Sequence, residues 1–279
     1  MPTIQESIIF ASKRIDRFEA KLLLAHCLGV GRTYLITHDR DELPPSVWEK
    51  YKNGVQQRSE GMPIPYICGS QEFFGRPFKV TPDVLIPRPD TETLVEFILN
   101  SCAPEHSASL LDLGTGSGCI AVTLALEKNN FKVSATDVCE RALNVARQNA
   151  HQLKASVNFY LGSWFDAIPT GKMFDIIVSN PPYIHQDDEH LKNLTYEPIG
   201  ALTDGFNGLT HIEHIISQAP YFLTSNGLLA FEHGWDQGEA VRAIFEKKGC
   251  WEKIQTIKDL GNNDRVTAAY LSPTYSNCH

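Results

Sequence analysis

From residue 109 onward the chain alternates between two hydrophobic rhythms. Short apolar runs at 109–113, 132–138, 157–161, 174–179, 227–232, 253–259 and 265–271 read as strands. Stretches with apolar residues at helical spacing stand among them, at about 118–129, 140–153, 208–223 and 236–248. The run Phe174-Asp175-Ile176-Ile177-Val178 is nearly continuous in apolar character, as a strand covered on both faces must be. Such alternation predicts an α/β protein, with a mostly parallel sheet between two layers of helices. Only a hairpin-length turn around Gly261-Asn262-Asn263-Asp264 separates the last two strands, so the final strand is expected to run antiparallel. The expectation is a doubly wound, Rossmann-like sheet of seven strands, six parallel and the last antiparallel.

Residues 1–60 follow the helical rhythm alone and predict a small N-terminal helical domain. In a helix over 17–28, Phe18, Leu22 and Ala25 form one stripe, widened by Leu23, Leu24 and Cys27, and Gly29 or Gly31 ends it. Leu43-Pro44-Pro45-Ser46 then breaks the chain. Ser46 is the expected N-cap of a helix over 47–58 that turns Val47, Tyr51 and Val55 to one side. Residues 61–90 are dense in glycine and proline and read as a linker, with a short hairpin pairing Phe73-Phe74 with Phe78-Lys79-Val80. Asp90 is the expected N-cap of a helix over 91–99, with Arg88 at the mouth of a site as a further role. Residues 91–279 form the larger domain.

Composition narrows the classes. The sequence is 42% hydrophobic and 21% charged, which is globular, and no apolar run approaches the roughly 20 residues of a membrane span. Thirty-three acidic against 25 basic residues give a net charge of −8, without the basic stripe of a nucleic-acid binder. Seven scattered cysteines, none in a Cys-x-x-Cys pair, speak against a disulfide framework or a structural zinc site. The N-terminal residues lack the basic-then-apolar order of a secretion signal. A cytoplasmic monomer is expected.

The candidate chemistry sits where strands end. After the run that ends at Val178-Ser179 comes Asn180-Pro181-Pro182-Tyr183, at the carboxyl end of a strand, where open α/β sheets place their ligands. Two prolines stiffen the turn and remove two backbone donors. What remains is rich in acceptors: the Asn180 side-chain oxygen and the backbone carbonyls, with the Tyr183 ring beside them. A planar NH2 group can donate both hydrogens to such acceptors and stack on the ring. Upstream, Gly114-Thr115-Gly116-Ser117-Gly118 follows the first strand and opens a helix, which lets a ligand approach the backbone closely. No Gly-Lys-Ser/Thr follows, so this is not a P-loop. Asp112 is placed to brace that loop or to meet a ligand's ammonium through water. Asp137 ends the second strand, where a carboxylate either accepts both hydroxyls of a ribose or caps the next helix. Trp164, after the third strand, either flanks an adenine ring or covers the core. Glu232-His233 has no third ligand at a useful spacing and reads as strand-end structure; Asp187-Asp188-Glu189-His190 reads as a solvated loop, a candidate lid, and no metal is expected.

These pieces resemble the class I S-adenosylmethionine-dependent methyltransferases over residues 90–279. Asn-Pro-Pro-Tyr narrows the resemblance to enzymes that methylate planar nitrogens: adenine or cytosine amino groups, or the glutamine side-chain amide. Ile86-Pro87-Arg88-Pro89-Asp90-Thr91-Glu92, Tyr196-Glu197-Pro198, Asp204-Gly205, Glu232-His233-Gly234 and the 259–265 segment extend it to essentially the whole chain. Together they are similar to the bacterial peptide-chain release factor N5-glutamine methyltransferases, the PrmC/HemK family. Asn207 departs from the acid often found there before Gly-Leu. The resemblance implies that Gly114, Thr115, Gly116, Ser117, Gly118, Asp137 and Trp164 hold S-adenosylmethionine, with S-adenosylhomocysteine as product. It implies that Asn180, Pro181, Pro182 and Tyr183 hold the substrate glutamine, Asn180 standing between cofactor and substrate. The partner is then a release factor, docked through the helical domain, and not a nucleic acid. The rivals are a DNA or RNA adenine-N6 methyltransferase and a cofactor-binding scaffold without catalysis.

Overall fold

A computed structural model describes residues 1–103, 105 and 107–275. Cys278, one of the seven cysteines, lies outside them; the six described cysteines are free. The chain divides into two compact units, Met1–Gln71 and Glu72–His279. The division falls at a single point, where the sequence pattern suggested a linker over 61–90. That stretch holds the expected hairpin, preceded by a short helix.

The first unit contains α1 (Ile4–Ala11), α2 (Arg17–Leu28), α3 (Tyr34–Thr37), α4 (Pro45–Ser59) and α5 (Ile64–Cys68). Thr3 and Glu6 start α1 with a capping box, and Asp16 starts α2 by accepting the N–H groups of Phe18 and Glu19. Gly29, at φ 69°, ends α2 in the left-handed conformation that favours glycine. Of the expected stripe Leu23, Leu24 and Ala25 are buried, with Ala20 beside them, Leu22 is half-buried and Phe18 is exposed. Ala20, Leu23, Leu24 and Cys27 follow the i, i+3, i+4, i+7 pattern at a different rotation, which the run of three leucines conceals. The α4 helix begins at Pro45, and Ser46 makes no cap bond. Proline is favoured at the first helical position because its missing donor costs nothing there. Tyr51 and Val55 are fully buried, and the Tyr51 hydroxyl donates to the Ala20 carbonyl across the unit's core at 3.0 Å.

The second unit opens with the hairpin of β1 (Ser70–Phe73), on the boundary itself, and β2 (Arg76–Lys79). A 3-10 turn, Pro89–Thr91, then leads into α6 (Glu92–Ser101). Asp90 lies in that turn and does not cap the helix; its carboxylate pairs with Arg265 at 3.3 Å. The sheet follows: β3 (Ser109–Leu113), α7 (Cys119–Glu127), β4 (Lys132–Asp137), α8 (Glu140–Leu153), β5 (Val157–Leu161) and β6 (Phe174–Ser179). It is completed by α9 (Thr210–Gln218), β7 (Leu223–Glu232), α10 (Gly238–Lys248), β8 (Trp251–Lys258) and β9 (Asp264–Leu271). The expected helix to residue 223 stops at Gln218, because Pro220 cannot continue it and a 3-10 turn takes over.

The seven strands lie in the order β5-β4-β3-β6-β7-β9-β8, with β9 antiparallel to both neighbours and the others mutually parallel. One core cluster gathers Leu94, Ile98, Val122 and Val133; another gathers Leu111, Ile177, Ile212, Ile216 and Phe245. Along β3, Leu110 joins the first cluster and Leu111 the second, so successive side chains feed opposite faces of the sheet. Among the described residues no helix is long and apolar enough to cross a membrane.

Candidate active site

The chain winds outward from β3 to β4 and β5 on one side, and from β6 to β7 on the other. The carboxyl ends of β3 and β6 therefore flank the point where strand order reverses, and a crevice opens there. Leu113 stands in register with Ser179, and the Ser179 hydroxyl donates to the Leu113 carbonyl at 2.8 Å. This tie brings the loop that leaves β3 beside the turn that leaves β6.

Gly114, Gly116 and Gly118 take positive φ angles of 70°, 55° and 82°, a conformation costly for other residues. The Thr115 N–H donates to the Thr136 carbonyl at 2.9 Å, and the Gly116 N–H to Asp137 Oδ2 at 2.8 Å. Asp137 also accepts the Cys139 N–H through Oδ1 at 2.8 Å. The carboxylate thus braces both the glycine loop and the approach to α8. Burial pushes its pKa up, against the pull of these backbone donors. Beneath the loop, Asp112 is fully buried; it accepts the Thr115 hydroxyl at 2.6 Å through Oδ2, while Oδ1 has no partner. Burial pushes the Asp112 carboxyl up to about 7.

A cavity of about 330 Å³ occupies the crevice. Gly114, Thr115, Gly116, Ser117, Asp137, Trp164, Asn180 and Pro182 all line it. Gly118, Pro181 and Tyr183 are not on its wall. Gly118 instead allows close packing: a Cβ there would lie 3.1 Å from the Ala146 Cβ. Pro181 is buried, and the Tyr183 hydroxyl donates to Glu232 Oε1 at 2.9 Å while Gln237 Nε2 donates to its carbonyl at 3.0 Å. Asn180 Nδ2 donates to Thr91 Oγ1 at 3.3 Å. Among the described residues no hydrogen bond occupies Asn180 Oδ1 or the carbonyls of Asn180, Pro181 and Pro182.

Several wall residues were not singled out by the sequence reading. Val84, Leu85, Ile120 and Val138 make the wall largely apolar. His211 joins them, its ring 5.1 Å from that of Trp164. Asp204 accepts the Thr210 N–H at 2.9 Å, which sets the first turn of α9 and so the place of His211. Arg88 also lines the cavity, but its guanidinium is paired with the buried Glu197, which accepts the Ile86 N–H as well. Its anionic partner is therefore an acid of the same chain. Glu232-His233 ends β7: the ring of His233 is fully buried, between the Gly234 carbonyl and the Thr267 hydroxyl. The 187–190 segment lies at the surface, where Asp188 caps a 3-10 turn, Glu189–Asn193, by accepting the His190 N–H at 2.8 Å. Among the described residues no group of three or more His, Cys, Asp or Glu side chains could hold a metal ion.

Comparison with known proteins agrees with this geometry. The family model of the methyltransferase small domain matches residues 89–201, and that of the PrmC N-terminal domain matches residues 9–69. A release factor glutamine methyltransferase of Bordetella pertussis is 42% identical over 265 residues, covering 94% of this chain and 98% of its own length. One from Neisseria gonorrhoeae is 44% identical over 257 residues, 91% of this chain and 93% of its own. A methyltransferase from Pyrococcus furiosus shares the fold, with a TM-score of 0.53 and 20% identity over 72% of this chain and 91% of its own. With relatives this similar over nearly the full length of both chains, the protein is an enzyme and belongs to the release factor glutamine methyltransferase family.

Proposed function

We propose that this enzyme methylates the side-chain amide nitrogen, N5, of the glutamine in the Gly-Gly-Gln motif of peptide chain release factors, with S-adenosylmethionine as methyl donor. The observation that carries the reading is the position of Asn180: its amide faces the same cavity as the glycine loop and Asp137. The wall suits such a donor. It is apolar enough for an adenine ring, with Trp164 and His211 at one side and the Asp137 carboxylate within it. Asp112, below the loop and off the cavity wall, braces it through the Thr115 hydroxyl. Gly114, Thr115, Gly116, Ser117, Asp137 and Trp164 would hold the donor directly, and Gly118 would shape the loop that does so. When bound, S-adenosylmethionine supplies a sulfonium methyl; the amide nitrogen takes it as the carbon–sulfur bond breaks, leaving S-adenosylhomocysteine and a proton.

An amide nitrogen is a poor nucleophile because its lone pair is shared with the carbonyl. Asn180 Oδ1 and the carbonyl of Pro181 or Pro182 accept its two N–H groups, which turns the lone pair toward the methyl group. The same acceptors stabilise the positive charge that grows on nitrogen. The methylated amide cation is acidic enough to lose its proton to water, so no general base is required. Tyr183, off the cavity wall, holds the turn through Glu232, and the helical first unit docks the release factor. On this reading the enzyme works in the cytoplasm, as a monomer.

The test is methyl transfer from labelled S-adenosylmethionine to a purified release factor, to its Gln→Ala variant at the Gly-Gly-Gln tip, and to duplex DNA. Label on the intact factor alone is the expected result. Label on DNA that falls as salt rises would instead make this a nucleic-acid methyltransferase.

A further inference from the structure

Thr91 is the last residue of the 3-10 turn that runs into α6, and its own backbone is helical. Its side chain makes no cap bond. It is only 2% exposed, lines the cavity, and accepts Asn180 Nδ2 at 3.3 Å. Beside it, at the end of β7, lies Glu232, 1% exposed. One carboxylate oxygen accepts the Tyr183 hydroxyl; the other, Oε2, has no hydrogen-bond partner. A buried hydroxyl engaged only as an acceptor and a buried acid with a free oxygen are two unexplained features. They meet at one hydroxyl group.

The geometry points to Glu232 and Thr91 as positioning residues that decide which end of the Asn180 amide faces the substrate. A carboxylate is an acceptor only, so a neighbouring hydroxyl gives its proton to it. Thr91 Oγ1, with its proton turned toward the free Glu232 oxygen, is left to accept, and the Asn180 amide must turn its NH2 toward Thr91. Asn180 Oδ1 then faces the cavity, ready for a substrate N–H. The opposite orientation would present an NH2 group to the substrate NH2, donor against donor. Tyr183 is held to the same carboxylate from the other side. Glu232 therefore sets two elements of the 180–183 turn through two hydroxyls. Burial pushes the Glu232 carboxyl up; the hydroxyls of Thr91 and Tyr183, and Arg265, itself paired with Asp259 and Asp90, pull it back toward the charged form. The inference rests on the reading of Asn180 as acceptor for the substrate amide, and it adds the device that sets its direction.

The test compares Thr91→Val, Thr91→Ser and Glu232→Gln with the wild-type enzyme, using a release factor as methyl acceptor. Binding of S-adenosylhomocysteine by calorimetry and the melting temperature report on folding and on the donor site. Thr91→Val keeps the shape and removes the hydroxyl; kcat should fall about tenfold or more, with the Kd for S-adenosylhomocysteine unchanged within about threefold. Thr91→Ser restores the hydroxyl and should recover most of kcat. In Glu232→Gln one oxygen becomes a donor, so one of the two hydroxyls loses its direction and kcat falls; in the Thr91→Val background this second change should cost less than it does alone. Thr91→Val with wild-type kcat overturns the proposal, as does Thr91→Ser no better than Thr91→Val, or a loss expressed in S-adenosylhomocysteine binding instead of turnover. Should Thr91→Val fail to fold, Thr91→Ser and Glu232→Gln decide by the same readouts. If the wild-type enzyme does not methylate the factor at all, the proposed function fails first, and separately.

Discussion

The 114–118 loop and the 180–183 turn leave neighbouring strands of one sheet, and they build opposite walls. The loop is made of glycines at positive φ, so its backbone can meet a ligand closely, and its fold is held by Asp137 and by Thr136. The turn is made of prolines, so two backbone donors are gone and the carbonyls stand free. One wall is shaped by what glycine permits, the other by what proline removes. The difference teaches that a single crevice can hold a charged donor on one side and strip protons of their freedom on the other. Each wall should also fail in its own way.

The largest effect is expected on the proline side. Asn180→Ala removes the acceptor aimed into the cavity; kcat should fall about a hundredfold or more, a loss typical of a single preorganised group that meets the developing charge. Calorimetric binding of S-adenosylhomocysteine should change little. A variant that turns over normally would end the comparison, because the acceptor wall would then have no catalytic part.

The glycine side should answer in the opposite currency. Asp137→Ala removes the brace of the Gly116 and Cys139 N–H groups and the acid proposed to meet the ribose. S-adenosylhomocysteine should bind about ten- to a hundredfold more weakly, while kcat at saturating S-adenosylmethionine stays within about threefold. Equal binding in calorimetry would mean that Asp137 serves the loop and the helix start alone.

Much of this contrast was legible in the sequence, for definable reasons. Strands at 109–113, 157–161 and 174–179 have the bounds their apolar runs suggest; the first and third are central and largely buried, where a parallel strand covered on both faces cannot contain much else. Glycine and proline announce themselves locally, so both walls could be read. What could not be read depends on distant partners. Glu232 looked like strand-end structure because nothing near it in sequence shows that Tyr183 and Thr91 lie against it. His211 reached the cavity through the Asp204 bond that sets α9, which no periodicity reveals. Asp90 is not the cap of α6 because the chain is already helical there, in a 3-10 turn, and its carboxylate pairs with Arg265, far along the chain.

Asp112 sharpens the glycine side through pH. Its folded pKa is raised from 3.8 to about 7 by burial, so between these values the folded state holds a proton that the unfolded chain releases. Without ligand, stability should therefore fall as pH rises from about 4 to 7 and level off above it. Asp112→Asn cannot ionise; melting curves of the two proteins should diverge over that window in favour of the variant. Parallel curves would mean that Asp112 stays charged throughout.

The smallest effect separates the third glycine from the other two. Gly118 stands in the same motif, at φ 82°, yet it is absent from the cavity wall. Its Cβ would press on Ala146 of α8, at 3.1 Å from the Cβ and 3.2 Å from the Cα. A neighbour's backbone does not yield easily, and the left-handed conformation adds its own cost of about 1 kcal/mol. Gly118→Ala should lower stability in urea by about 1–2 kcal/mol and leave the kcat of the folded fraction unchanged within about twofold. Gly116 makes the contrast, because a Cβ there meets nothing within 4 Å and would extend into open space. An alanine at 116 carries the conformational cost without the clash, so it should be the milder change in stability and the stronger one in S-adenosylhomocysteine binding. Were both alanines to weaken binding alike, all three glycines would shape the ligand's wall, and the line between permitting approach and permitting packing would disappear.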